Sequence, residues 1–185
     1  MINHERILVV LAHPDDEVLG CGGLIKLSIN QRKKVRVVIL GEGSSCRWSF
    51  EKLNSEEVRK TITQRKTFAK NSFNILGIDD YIFYDLPCGR FDTIPLIDIT
   101  KKIENEINIF KPDTIITHFK DDTNSDHRVT FNAMNIASRP IPNSTIKNIL
   151  CCEILSSTEW RFSETFQPNI FVDISNTIQD KINAF

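Results

Sequence analysis

Three of the four histidines in the chain stand beside clusters of acids. One cluster reads His13-Pro14-Asp15-Asp16-Glu17. The other starts at His118 and runs through Asp122, Asn124 and Asp126 to His127. Metal sites gather imidazoles and carboxylates in this way, and zinc takes both at about 2.0–2.2 Å. His13 and Asp16 are three residues apart, a spacing that brings two side chains together across the first turn of a helix. His127 offers a third ligand. A set of three leaves one position open to water, which separates a catalytic zinc from a structural one. Asp15 points elsewhere and can reach a metal-bound water without ligating the ion. A helix N-terminus favours an acid or two. It does not account for three in a row behind a histidine, because their mutual repulsion at a buried strand end is costly.

Two other chemistries fit less well. A strand followed by glycines suggests a dinucleotide site, but this turn is acidic rather than G-x-G-x-x-G and would repel a pyrophosphate. A nucleotide-sugar transferase built on paired aspartates wants an oxygen-rich magnesium or manganese site, whereas two imidazoles favour zinc. No histidine is placed in sequence to activate a cysteine, so a thiol nucleophile is not expected.

HPDDE (His13–Glu17) and D-x-N-x-D-H (Asp122–His127), with the later SSTEW (Ser156–Trp160), resemble the PIG-L/LmbE-type N-acetylglucosaminyl deacetylases, in the branch that acts in bacterial glycan pathways. The resemblance implies a Rossmann-like fold holding Zn2+ on His13, Asp16 and His127, with Asp15 as general base. It implies a hydrolase that removes the acetyl group from an N-acetylated amino sugar, and it leaves a homo-oligomer open. The chain departs from the pattern at Asn124, where many members carry a histidine that helps hold the oxyanion. Asn124 can still donate through its amide, and His118 is the other candidate for that role. Cys88 and Gly89 stand where related chains often carry an acid and an amide. Asp126 either orients a neighbouring imidazole or caps a helix. On the substrate side, Arg47 can pair with a phosphate and Trp48 can stack on a sugar ring; Asp92 and Glu159 are further candidates. Two alternatives remain: a metal-dependent amidase for a non-sugar amide, and a metal- or sugar-binding module without catalysis. A dead site would have no need of Asp15, which argues against the module.

The elements that must position these residues alternate. Apolar β-branched runs at Ile7–Ala12, Val35–Leu40, Tyr81–Tyr84, Thr114–Thr117, Asn148–Leu155 and Ile170–Ile174 read as strands buried on both faces. Helical spacing connects them. A first helix is expected from Pro14, at its first position, to about Asn30. A second carries Val58, Ile62, Ala69, Phe73 and Leu76, with Asn54 and Glu57 in a capping arrangement and Gly77 as the stop. A third follows Pro95 with Leu96, Ile99, Ile103, Ile107 and Phe110. A fourth runs from Asp126 to about Ser138 through Val129, Ala133 and Ile136. The pattern predicts one α/β domain over residues 1–185, a Rossmann-like three-layer sandwich with a mostly parallel sheet. In such sheets ligands bind outside the carboxyl ends of the strands, where both acidic clusters fall. Asn176–Phe185 begins like an amphipathic helix and lacks a stop signal, which leaves a continuation past Phe185 open.

Composition sets the outer bounds. The 185 residues carry 23 basic and 24 acidic side chains, a net charge of −1, so there is no basic footprint for nucleic acid. No segment approaches the length of a membrane span. Five cysteines, an odd number without a C-x-x-C, read as reduced thiols in a cytoplasmic protein.

Overall fold

The structure, a computed structural model, describes residues 4–162 and 165–185. Five strands form one sheet: β1 (Arg6–Leu11), β2 (Lys34–Gly41), β3 (Asp80–Leu86), β4 (Thr114–His118) and β5 (Asn148–Cys152). Their order is β3-β2-β1-β4-β5, and every neighbouring pair is parallel. The helices are α1 (Asp16–Asn30), α2 (Glu56–Leu76), α3 (Leu96–Phe110), α4 (Ser125–Ala137) and α5 (Ile178–Ala184).

The side-chain alternation of β1 divides the core into two layers. Ile7, Val9 and Leu11 pack with Val18, Cys21 and Ile25 of α1, with Ala69, Phe73 and Leu76 of α2, and with Ala184 of α5. Leu8, Val10 and Ala12 pack with Ile99, Ile103 and Phe110 of α3 and Ala133 and Met134 of α4. A central strand buried on both faces has to be apolar throughout, which is why β1 and β2 read as unbroken runs. The three-layer α/β sandwich read from the sequence is the one observed.

The strand order reverses at β1. From there the chain steps outward to β2 and β3, then returns to β4 on the other side. In doubly wound sheets ligands bind at such a switch point, which here falls between the carboxyl ends of β1 and β4. β1 delivers His13 and β4 delivers His118, so both acidic clusters flank it.

Several local expectations are corrected. Ile170–Ile174 forms no strand. A β-branched run favours extended backbone, but a ladder needs a partner; Phe171 and Val172 remain exposed, and Ile174 packs over Gly23. Ser55, not Asn54, caps α2, its Oγ accepting from Val58 N at 3.3 Å. Leu96 and Ile136 have the spacing of core residues but are exposed. Pro14 precedes the helix, and α1 starts at Asp16 because Asp15 adopts a left-handed backbone with φ 104°. Among the described residues no helix is long and apolar enough to cross a membrane.

Candidate metal centre

His13, Asp16 and His127 converge. Asp16 Oδ2 lies 3.6 Å from His13 Nδ1 and 3.4 Å from His127 Nε2, and all three residues are buried. One ligand atom from each falls within 4.8 Å of the others. Asp16 is aimed by its own helix start, where Oδ2 accepts from His13 N at 2.8 Å.

Each imidazole turns its other nitrogen toward a second carboxylate. His13 Nε2 is 2.9 Å from Asp126 Oδ2, and His127 Nδ1 is 3.2 Å from Asp122 Oδ2. Such partners fix the tautomer of a metal-binding imidazole and raise its basicity. They are fixed in turn. Asp126 accepts from Gly89 N at 2.5 Å and Phe91 N at 3.2 Å. Asp122 accepts from Thr158 Oγ1 at 2.8 Å, Ser157 Oγ at 3.1 Å and Asn124 N at 2.8 Å. The SSTEW segment thus supports this cluster through Asp122, a residue to which the sequence assigned no role. Glu159 of that segment lies outside, where its carboxylate accepts from Phe166 N.

The electrostatics favour a cation. Burial opposes charge on His13, yet Asp126 and Asp16 raise its pKa to about 10. Burial likewise opposes charge on His127, yet Asp16 and Asp122 raise it to about 9. Burial would raise Asp16, but His127 and His118 hold it well below the usual range. Three buried carboxylates therefore demand about two positive charges, which two protons or one divalent ion can supply. Histidine nitrogens and a carboxylate with an open side suit zinc. His13, Cys88 and Asp126 also bring ligand atoms within 4.8 Å, in a group whose His13 and Asp126 are hydrogen-bonded to each other at 2.9 Å.

Asp15 stands beside the cluster rather than in it. Its Oδ2 accepts from Arg65 Nη2 at 2.6 Å, and Arg65 also donates to Pro14 O at 2.9 Å. Burial and the neighbouring Asp16 raise the Asp15 pKa to about 6, against the pull of Arg65. Gly43 (φ 71°) closes over this turn; a Cβ there would come 2.8 Å from Pro14 Cδ. Arg65 lies 50 residues along the chain on α2, and nothing in its local sequence marks it.

His118 and Asn124 are placed as follows. His118 is fully buried, stacks on His127 with centroids 3.8 Å apart, and accepts from Ala12 N through Nε2. Burial and the neighbouring His127 lower its pKa to about 4. With Nε2 accepting, the proton of this neutral ring sits on Nδ1, which is buried without a hydrogen-bond partner, and Nε2 lies 3.4 Å from Asp16 Oδ2. Asn124, half-buried, is the residue that caps α4: its Oδ1 accepts from Asp126 N at 2.9 Å. That leaves Asp126 its bond to His13 instead of the cap.

Arg47 and Trp48 follow β2, on the same edge of the sheet. Arg47 is exposed and donates to Gly43 O at 2.9 Å, and Trp48 is half-buried. Asp92 is exposed, next to Phe91. The sequence reading missed Glu42. Buried at the end of β2, its carboxylate accepts from Ser44 N, Ser45 N and Cys88 N at 2.6, 3.0 and 2.8 Å, joining the loops after β2 and β3. An acid directly after a buried strand was the available signal.

The family model described as PIG-L, GlcNAc-PI de-N-acetylase, matches residues 8–138. A diacetylchitobiose deacetylase of Thermococcus kodakarensis is 25% identical over 190 residues, which span 97% of this chain and 67% of that one. The structure of the N,N'-diacetylchitobiose deacetylase of Pyrococcus horikoshii superposes with a TM-score of 0.75 at 20% identity, covering 98% of this chain and 68% of that one. A 4-carboxy-2-hydroxymuconate hydratase of Pseudomonas putida superposes with a TM-score of 0.70 at 22% identity, covering 97% and 77%. The last two show a shared fold, and one fold hosts more than one chemistry.

Proposed function

The chain belongs to the PIG-L family of GlcNAc-PI de-N-acetylases, and from that premise we propose that it is a zinc-dependent hydrolase removing the acetyl group from an N-acetylated amino sugar. One observation carries the reading: His13, Asp16 and His127 converge, with a separate carboxylate behind each imidazole. The diacetylchitobiose deacetylase relative supports the choice of an acetylated sugar.

His13 Nδ1, Asp16 and His127 Nε2 would hold the zinc. Bound zinc supplies a Lewis acid and a water whose pKa is lowered to about 7. Arg65 fixes Asp15 Oδ2, which leaves Oδ1 to take the proton of the attacking water. As water adds to the acetamide carbon and the C–N bond breaks, Asp15 returns that proton to the leaving amine. The products are acetate and the free amino sugar. Asn124 spends Oδ1 on the helix cap, so its Nδ2 is the group left to donate to the carbonyl oxygen. Asp126 and Asp122 keep the two imidazoles in register. Arg47, Trp48 and Asp92 border the substrate, and reduced thiols suit a cytoplasmic enzyme.

The test pairs metal analysis with amine release. Elemental mass spectrometry of the purified chain should find about one zinc per chain. The zinc-loaded protein should release free amine from N-acetylglucosamine derivatives. Release from non-sugar amides alone would move the substrate class. A zinc-loaded protein inert toward every N-acetyl sugar and amide offered would overturn the reading.

A further inference from the structure

Two thiols meet at the rim of this site. Cys88 Sγ lies 3.1 Å from Cys46 Sγ, across 42 residues of sequence. Cys46 sits in the loop after β2 and is exposed, while Cys88 sits in the loop after β3 and is buried. Their approach is built from below. Glu42, 3% exposed, accepts from Ser45 N beside one cysteine and from Cys88 N of the other. Gly89 (φ 72°) completes the fit, because a Cβ there would stand 2.9 Å from Cys46 Cβ.

We propose that Cys46 and Cys88 are a modification site: a hydroperoxide converts them into a reversible disulfide that ties the loop carrying Arg47 and Trp48 to the loop carrying Gly89. With hydrogen peroxide, the Cys46 thiolate attacks one peroxide oxygen, breaking the O–O bond to give a sulfenic acid and water. The Cys88 sulfur then attacks the sulfenic sulfur and expels a second water. The two thiols together lose two protons and two electrons, and the peroxide takes them up. The exposed member is also the more acidic: the hydrogen bond from Cys88 outweighs burial and, with Arg47, lowers the Cys46 pKa to about 6. Thiolate character and exposure together select the residue that oxidises first. Cys21 and Cys152 form a second neighbouring pair, but both are buried in the core. They serve as the internal comparison.

The test reads sulfur chemistry rather than turnover, so it can fail while the proposed deacetylase activity stands, and the reverse. The purified full chain is treated with a few equivalents of hydrogen peroxide, alkylated and digested with trypsin without reduction. Peptides 37–47 and 71–90, which hold Cys46 and Cys88, should appear joined, lighter by two hydrogens, and dithiothreitol should separate them. Cys46→Ser and Cys88→Ser should each abolish that species. Trypsin cleavage of the native protein after Arg47 should slow several-fold on oxidation, recover on reduction, and be indifferent to peroxide in Cys46→Ser. Recovery of the two peptides only as separately alkylated species would overturn the proposal. So would Cys46 trapped as a sulfinic acid without Cys88.

Discussion

The cup between β1 and β4 and the rim after β2 are held in different ways. In the cup the carboxylates behind the imidazoles have several partners: Asp126 has an imidazole and two backbone amides, and Asp122 has an imidazole, two hydroxyls and an amide. On the rim, Arg47 is exposed and donates to a single carbonyl of its own loop. The cup is organised before anything binds, as the proposed centre, holding an ion and a reacting carbon in fixed relation, would require. The rim leaves its cation free to meet a ligand. Changes in the cup should therefore cost rate and metal, while changes on the rim should cost binding.

The largest effect is expected from the ligands. Asp16→Ala or His127→Ala should lose stoichiometric metal and lower kcat by ~10⁴-fold or more, since Lewis acid and activated water go together. Elemental analysis and turnover, measured on one preparation, check this. Metal uptake should also release protons. His13 and His127 are raised to about 10 and about 9 in the metal-free protein, so binding at pH 7 should expel about two protons per ion. Fewer should be released as pH approaches 10. The same shifts set the sign for stability. Both folded values exceed the ordinary 6.5, so their contribution is fully present below about 6.5 and is lost as pH rises through 9 to 10. Chelator-treated protein should unfold at lower denaturant at pH 10 than at pH 7.

Next comes the acid that stands beside the ligands. Asp15→Asn should keep its zinc and lose ~10²- to 10⁴-fold in kcat, the usual range for a general base. Full turnover in the zinc-loaded variant would remove Asp15 from the reaction. Asp122→Ala acts one bond further out and should weaken metal affinity by ~10- to 100-fold while leaving the fold intact. If chelator titration shows no change, the carboxylate behind His127 is idle.

The convergence of the cup was legible in sequence for a physical reason. Residues able to hold a metal are of few types, and the helix-start spacing of His13 and Asp16 places them on one point. The sheet was legible because strands covered on both faces cannot hide their apolar runs. What remained hidden depends on contacts distant in sequence. Arg65 meets Asp15 only because α2 packs beside α1, and Glu42 looks like any acid after a strand until Cys88 N arrives from β3. The depth of His118 was equally hidden, because residue type does not reveal burial; its ring is fully buried and stacks on His127. Ile170–Ile174 had the composition of a strand, but composition cannot supply a partner edge.

The smallest effect should come from the rim, and it separates the two regions most directly. Arg47 makes one hydrogen bond to its own loop, so Arg47→Ala should leave metal content, fold and kcat nearly unchanged. If its guanidinium meets a phosphate on the sugar, KM for that substrate should rise by about 10-fold, the scale of one charge-assisted hydrogen bond at an exposed site. KM for the neutral N-acetyl sugar should stay put, because uniform binding is lost only where the charged group exists. An equal rise for both would mean that Arg47 shapes the loop instead of reading charge. A fall in kcat would mean that the rim is coupled to the cup, with Glu42 and the Cys88–Gly89 segment as the path to Asp126.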